Sequence, residues 1–345
     1  MADVSGLDEF LRSAITVTVN LISSRDTHNN LDLVTIGEAM AMFVAEEYGD
    51  LADAEHFIKR IAGAELNVAT GIARLGLRAG WVSRVGKDAF GRYVLNCLEK
   101  EGISFQQVTT DTEYATGFQI KSREKEGADP VVQYFRKNSA ASHLSLADFS
   151  ADYFLTARHL HLTGVAAALS ESVLALCHHA ADVMIAAGKS VSFDPNLRPV
   201  LWRDTPTMVN TLNALAFKAK LVMPGLSEGK ILTGHEHPEA IADFYLNQGV
   251  NAVVIKLGPQ GAWFKSAHGE QATIPGFPVT NVVDTVGAGD GFAVGVLSGL
   301  IEGKMLSEAV RRGNLLGSLA VQVPGDSEGL PHREQLNLLE QESAL

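Results

Sequence analysis

Three glycines surround one carboxylate in Asp284-Thr285-Val286-Gly287-Ala288-Gly289-Asp290-Gly291-Phe292. Phe292, Val296, Leu297 and Leu300 then recur at helical spacing, so the string reads as a Gly-rich turn that opens a helix. Such a turn leaves several backbone N–H groups without intrahelical acceptors, and the helix N-terminus adds partial positive charge. Together they suit a phosphate. A carboxylate at Asp290 would lie beside a transferring phosphoryl group, where it can accept the proton of an attacking hydroxyl. The chemistry this spacing suggests is phosphoryl transfer to an alcohol. The dinucleotide pattern G-x-G-x-x-G fails, because Phe292 occupies the third glycine position and the string lies late in the chain. No G-x-x-x-x-G-K-[ST] occurs, which removes a P-loop enzyme.

The elements that must position this string alternate regularly. Strands are predicted at 31–36, 81–85, 159–163, 190–193, 221–223 and 252–255. Helices are predicted at 65–75, from a cap at Asp88 to about 100, and at 170–187, 205–219, 238–248, 288–301, 305–321 and 333–343. This order implies βαβ units and an α/β fold with a mostly parallel sheet and helices on both faces, a three-layer α/β/α core. Two segments, about 38–60 and 112–137, have short alternating runs instead, including strands at 116–120 and 131–135 separated by a polar loop at 121–130. They are read as a small β-sheet lid on a domain covering 31–345. Residues 1–30 are read as an N-terminal extension outside it.

The chain has 345 residues, 46% hydrophobic, enough for a sizeable core, and a net charge of −12 that argues against a nucleic-acid partner. No apolar run reaches the ~18 residues of a membrane span. The apolar-leaning stretch 14–22 lacks the flanks of a signal peptide. Cys97 and Cys177 fall in apolar helical runs and read as buried free thiols, which fits a cytoplasmic setting. His178-His179 and His235-x-His237 lack partners at metal spacing. Asp32, Asp88, Asp148 and Asp194 read as loop or cap residues, Asp194 also beginning a ligand loop.

Val283 to Phe292 resembles the C-terminal signature of the ribokinase-like, or pfkB-type, carbohydrate kinases. Gly63-Ala64-Glu65-Leu66-Asn67-Val68-Ala69 with Arg74-Leu75-Gly76 resembles the N-terminal one, about 220 residues earlier and in the family order. The resemblance covers about residues 31–335. It implies a ribokinase-like fold with a β-sheet lid, ATP as donor and Mg²⁺ as bridging metal. Carried over by position, Asp290 is the base, and the N–H groups around Gly287, Ala288, Gly289 and Asp290 form the anion hole.

Substrate choice rests on other strings. Phe193-Asp194-Pro195-Asn196-Leu197-Arg198-Pro199 follows a strand end, where open α/β sheets place ligands. Arg198 offers a planar fork for a carboxylate or phosphate. In Gln133-Tyr134-Phe135-Arg136, alternation places Tyr134 and Arg136 on one strand face. Two arginines and a tyrosine suit an acidic sugar better than a neutral one. These strings resemble those of the 2-keto-3-deoxygluconate kinase subfamily. The resemblance implies that Tyr134, Arg136 and Arg198 hold the sugar acid, that Gly63 approaches its hydroxyls, and that Asn67 and Asp194 belong to the substrate site. The expected reaction is ATP-dependent phosphorylation of 2-keto-3-deoxygluconate at its 6-hydroxyl. The Asp-Pro-Asn-x-Arg loop also occurs in fructokinases, so a ketose kinase is the alternative, and a catalytically silent sugar-acid sensor is the reading from another class.

On the nucleotide side, Glu228 of Pro224-Gly225-Leu226-Ser227-Glu228 matches the acid of the family's Asn-x-x-Glu motif, associated with Mg²⁺ through water. Gly225 replaces the Asn. Lys256-Leu257-Gly258-x-x-Gly261 follows a strand and could wrap phosphates and ribose, and Asn314 could reach the adenine or ribose. The apolar strand Val131, Val132, Tyr134, Phe135 offers an edge for a homo-oligomer, a dimer or larger.

Overall fold

A computed structural model describes residues 21–22, 30–124 and 130–342. Nine strands form one sheet in the order β13-β12-β11-β10-β9-β8-β1-β4-β5. Its strands are β1 (Leu31–Ile36), β4 (Ala79–Gly86), β5 (Val108–Asp111), β8 (Ala157–Thr163), β9 (Ser190–Asp194), β10 (Leu221–Val222), β11 (Ala252–Lys256), β12 (Ala262–Ser266) and β13 (Gln271–Ile274). Seven run parallel. The hairpin partners β12 and β13 add antiparallel at one edge. The fold class is therefore the expected three-layer α/β/α arrangement.

Alternation along each buried strand sends neighbouring side chains into opposite layers. Leu33, Trp81, Leu221, Val254 and Phe264 join one apolar core, with helices Ala64–Arg74, Ala288–Ile301 and Leu306–Ala320. Val34, Val82, Leu160, Val222 and Val253 join the other, with helices Glu171–Ala186, Thr205–Ala216 and Pro238–Leu246. Helix starts follow capping chemistry: Asp88 accepts from Gly91 N at 2.7 Å and Asp204 from Thr207 N at 2.7 Å. Leu21 and Ile22, in the segment read as outside the fold, are buried in the first core, because both are aliphatic and the layer admits them. The remainder of residues 1–29 lies outside the described residues.

A second sheet, ordered β3-β2-β6-β7, comprises β2 (Met40–Tyr48), β3 (Phe57–Ala62), β6 (Phe118–Arg123) and β7 (Val132–Phe135). It springs from the carboxyl end of β1 and stands over the ends of the parallel strands. Strand β6 runs three residues beyond the expected Ile120. Lys121, read as the start of a polar loop, is a ladder residue paired with Val44 and Val132 and is 1% exposed. Its charge is met by Asp284 and Asp326, which makes the burial tolerable. Residues 125–129 of that loop lie outside the described residues.

Three further expectations differ. Helix Leu226–Thr233 stands between β10 and helix Pro238–Leu246, where none was read. It is short and glycine-bearing, and its start is fixed by Glu228 reaching back to Gly225 N at 2.6 Å. Asp32 lies inside β1, not in a loop, with Arg158 at 3.3 Å. Cys177 is buried, whereas Cys97 is only partly so, since its helix shows one face to solvent; both are free thiols.

Candidate active site

The glycine string sits at the carboxyl ends of the parallel strands, against the lid. Asp284 Oδ1 accepts from Val286 N at 3.1 Å and closes a turn that ends at Gly287, the N-cap of helix Ala288–Ile301. Gly287 has φ 84°, and a Cβ there would lie 2.2 Å from the Asp326 carbonyl oxygen, so no other residue fits. The first-turn N–H groups of Ala288, Gly289 and Asp290 have no acceptor in the preceding turn and border the cavity.

Asp290 is 8% exposed. Its Oδ2 accepts from Asn67 Nδ2 at 2.7 Å and its Oδ1 from Asn196 Nδ2 at 3.2 Å. Burial pushes its carboxyl up to about 7. The Asn67 hydrogen bond and the positive charge of Arg198 oppose the shift, and the negative charges of Asp194 and Asp326 add to it. A carboxylate with that value is poised to take a proton near neutral pH.

Lid and core together enclose a polar cavity of ≈ 330 Å³ above Asp290. The lid contributes Met40, Gln119, Tyr134 and Arg136. The core contributes Gly63, Asn196, Arg198 and the glycine turn. Gly63 has φ 149°, and a Cβ on it would meet the Glu38 carbonyl oxygen at 2.4 Å, so the helix Ala64–Arg74 can begin tight against the cavity only with glycine. Arg136 reaches Glu38 Oε2 at 2.5 Å, and Ser139 donates to Oε1 of the same buried carboxylate. Tyr134 lies with its ring 5.8 Å from the Arg136 guanidinium. Arg198 donates one bond, at 2.9 Å, to the Leu197 carbonyl, which fixes the guanidinium at the cavity wall.

A second cavity of ≈ 510 Å³ lies on the other side of Gly289 and is mainly apolar, with Phe277, Pro278, Val279, Val282, Phe292 and Val321 on its walls. Gly258, Gly261 and Asn314 line it as well, while Lys256, Thr285 and Gly289 border both cavities. Asn314 donates to the Ile274 and Pro275 carbonyls at 2.9 and 3.0 Å, so its amide nitrogen serves to hold a cavity wall. Lys256 Nζ contacts both Asp194 oxygens, at 2.9 and 2.7 Å. Burial pulls the ammonium down, but Asp194, Glu228 and Asp290 together carry it above its ordinary value, so it stays charged.

Glu228 Oε1 accepts from Leu197 N at 2.7 Å and Oε2 from Gly225 N at 2.6 Å. Backbone therefore holds the acid in place although Gly225 lacks the side chain of the family motif. Among the described residues no group of three or more His, Cys, Asp or Glu could hold a metal. Mg²⁺ ordinarily keeps several waters and takes one or two carboxylates plus substrate phosphates, and Glu228, fixed by backbone at the wall of the polar cavity, fits that demand.

The structure thus brings Gly63, Tyr134, Arg136, Arg198, Glu228, Lys256 and Asp290 to one cavity, and Gly258, Gly261 and Asn314 to the next. Asn67 and Asp194 take other neighbours: Asn67 contacts Asp290, and Asp194 is buried against Lys256. Two residues of the site had no place in the sequence reading. Asn196 lies within the quoted ligand loop, and an amide one residue past Pro195 was the available signal. Glu38 follows β1 closely, at a strand carboxyl end, but its partner Arg136 is 98 positions on, and no spacing rule links them.

The family model for pfkB family carbohydrate kinases matches residues 30–333. A 2-dehydro-3-deoxygluconokinase of Bacillus subtilis (strain 168) is 53% identical over 307 residues, covering 89% of this chain and 94% of the relative. The crystal structure of a PfkB protein from Polaromonas sp. JS666 superposes with a TM-score of 0.82 at 49% identity, over 89% of this chain and 99% of that one. A putative ribokinase II from E. coli, in complex with ATP and Mg²⁺, superposes with a TM-score of 0.83 at 28% identity, over 90% and 99%.

Proposed function

The chain belongs to the pfkB family of carbohydrate kinases, and from that premise we propose that it phosphorylates 2-keto-3-deoxy-D-gluconate at the 6-hydroxyl, giving 2-keto-3-deoxy-6-phosphogluconate. It is an ATP-dependent carbohydrate kinase. One observation carries the reading of the site: Asp290 lies at the floor of a polar cavity, where the N-terminus of a helix divides that cavity from an apolar one. The apolar cavity takes the adenosine, and the phosphates extend over Gly289 towards Asp290.

In this reading Asp290 accepts the proton of the 6-hydroxyl as that oxygen bonds to the γ-phosphorus, and the bond to the ADP oxygen breaks. The N–H groups of Ala288, Gly289 and Asp290, in the turn opened by Gly287, receive the charge that develops on the phosphoryl oxygens. Lys256, whose Nζ would lie 3.7 Å from a Cβ on Gly289, faces the same oxygens. Asn67 and Asn196 aim the carboxylate by donating to its two oxygens. Arg198 and Arg136 hold the sugar acid with Tyr134, and Gly63 lets the backbone approach its hydroxyls. Gly258 and Gly261 let the backbone pass close to the nucleotide, with Asn314 fixing the wall. Mg²⁺, when bound, would supply positive charge beside the transferring phosphoryl group, and Glu228 would hold it through water.

The apolar side chains on the open edge of the lid, Tyr134 at 45% and Phe135 at 48% exposed, support a homo-oligomer formed through β7. No helix among the described residues is long and apolar enough to cross a membrane, and the two free thiols support a cytoplasmic setting. A coupled ADP-release assay with 2-keto-3-deoxygluconate, fructose and related ketoses tests the proposal. Preference for the keto acid is expected. Preference for fructose would make it a ketose kinase, and titration calorimetry that finds sugar binding with no turnover would make it a sensor.

A further inference from the structure

Lys121 is the one lysine among the largest fully buried side chains of the described residues, and it takes no part in either cavity. It sits mid-strand in β6 of the lid. Its Nζ reaches across to the core, 2.6 Å from Asp284 Oδ2 and 3.2 Å from Asp326 Oδ1. Those two carboxylates belong to the two loops that wrap Gly287. Asp284 opens the glycine turn through its bond to Val286 N, and its other oxygen accepts from Gly325 N at 3.2 Å. The Asp326 carbonyl presses on the Cα of Gly287, where a Cβ would be 2.2 Å away. One ammonium of the lid therefore clasps both sides of the turn from which the anion hole is built.

We propose that Lys121 is a positioning residue for phosphoryl transfer: seated between Asp284 and Asp326, it sets the glycine turn, so that the anion hole takes its working shape only when the lid is docked. The inference rests on the reading of the glycine turn as the site of phosphoryl transfer. Without the ammonium, two carboxylates face each other unscreened behind a turn that must receive a phosphoryl anion, and mutual repulsion spreads the loops. A displacement of about 1 Å at such a turn costs on the order of 10²-fold in rate. The arrangement also links the two sheets. The strand that carries Lys121 is the neighbour of β7, so a sugar that draws Tyr134 and Arg136 inwards draws the clasp home as well.

The test compares Lys121→Ala with the parent in steady-state kinetics, in the presence of methylammonium chloride or of sodium chloride at equal ionic strength. Parental turnover of the sugar judges the functional reading; the ratio of variant to parent judges this inference. A fall in kcat of about 10- to 100-fold with KM for ATP little changed is expected, together with saturable recovery by methylammonium and none by sodium. A folded Lys121→Ala with kcat within twofold of the parent would overturn it. Should that variant fail to fold, Lys121→Met with Asp326→Asn keeps the net charge of the cluster at the parent's value and leaves the turn without its clasp. This double variant is expected to melt near the parent temperature and remain slow. Parental kcat in it would show that Lys121 only balances charge for folding, and would sink the proposal.

Discussion

The two cavities that meet at Gly289 are built on opposite principles. The one over Asp290 is walled by charge: Arg136 on Glu38, Arg198 on the strand-end loop, Lys256 on Asp194, with part of the wall on a separate sheet. The other is walled by Phe277, Pro278, Val279, Phe292 and Val321, all from the core domain, with glycines where the backbone must come close. Charged groups in fixed positions discriminate strongly, because a ligand that lacks the matching group leaves them unpaired. An apolar slot discriminates weakly, at about 1–3 kcal/mol per methylene. In the proposed reading, choice of sugar therefore concentrates in a few side chains of the first cavity, while nucleotide affinity is spread over many in the second.

Substitution at the shared junction should have the largest effect. Asp290→Asn is expected to lower kcat by about 10³-fold or more, with both substrates still bound in calorimetry; near-parental kcat would remove the base. The same change should raise the melting temperature at pH 8. The folded value of Asp290 lies above its unfolded one, so its contribution to stability is complete below the unfolded value and is lost as pH rises through about 7. An ionised, buried Asp290 is then a burden that asparagine relieves. Arg198→Ala comes next: KM for the keto acid should rise about 10- to 100-fold, as for a lost charged hydrogen bond, with KM for ATP unmoved. Equal shifts for a neutral sugar would break the contrast between the cavities.

The pH profile gives a smaller effect. For the parent, kcat/KM should fall about tenfold per unit below pH 7, because only the carboxylate can take the proton. Asn67 donates to the ionised form, so Asn67→Ala should move that midpoint upward, by no more than about one unit; a midpoint that stays put would mean Asn67 does not act through Asp290. The smallest expected change is on the apolar side. Asn314→Ala frees the Ile274 and Pro275 carbonyls and should raise KM for ATP a few-fold, as befits a loss of about 1 kcal/mol, and leave KM for the sugar alone. A larger effect than that of Arg198 would reverse the comparison.

What could be read without coordinates follows the same division. The α/β order and the glycine turn with Asp290 were visible because strands, helices and turns obey short periods. The strand ends pointed to Arg198 and Lys256 because ligands gather there, and the family motif pointed to Glu228. What could not be read are pairings between segments far apart. Asn67 stands one helical turn inside its helix, as a ligand residue would, yet faces Asp290. Asp194 opens a ligand loop, yet its charge is spoken for by Lys256. Lys121 looked like the edge of a polar loop because no local rule shows that Asp284 and Asp326 come to meet it. Glu38, beside Arg136, was hidden for the same reason.

Asn67 and Asp290 are 223 positions apart and touch. During synthesis the amino-terminal part folds first, and a ribosome that has released residues 1–283 has already delivered both arginines, Asn67 and Lys256. It has made neither the glycine turn nor the carboxylate. A nascent or prematurely ended chain can thus carry every residue proposed to hold the sugar and still lack the group proposed to split ATP. The residues that make the protein reactive join it last, so an unfinished copy is inert.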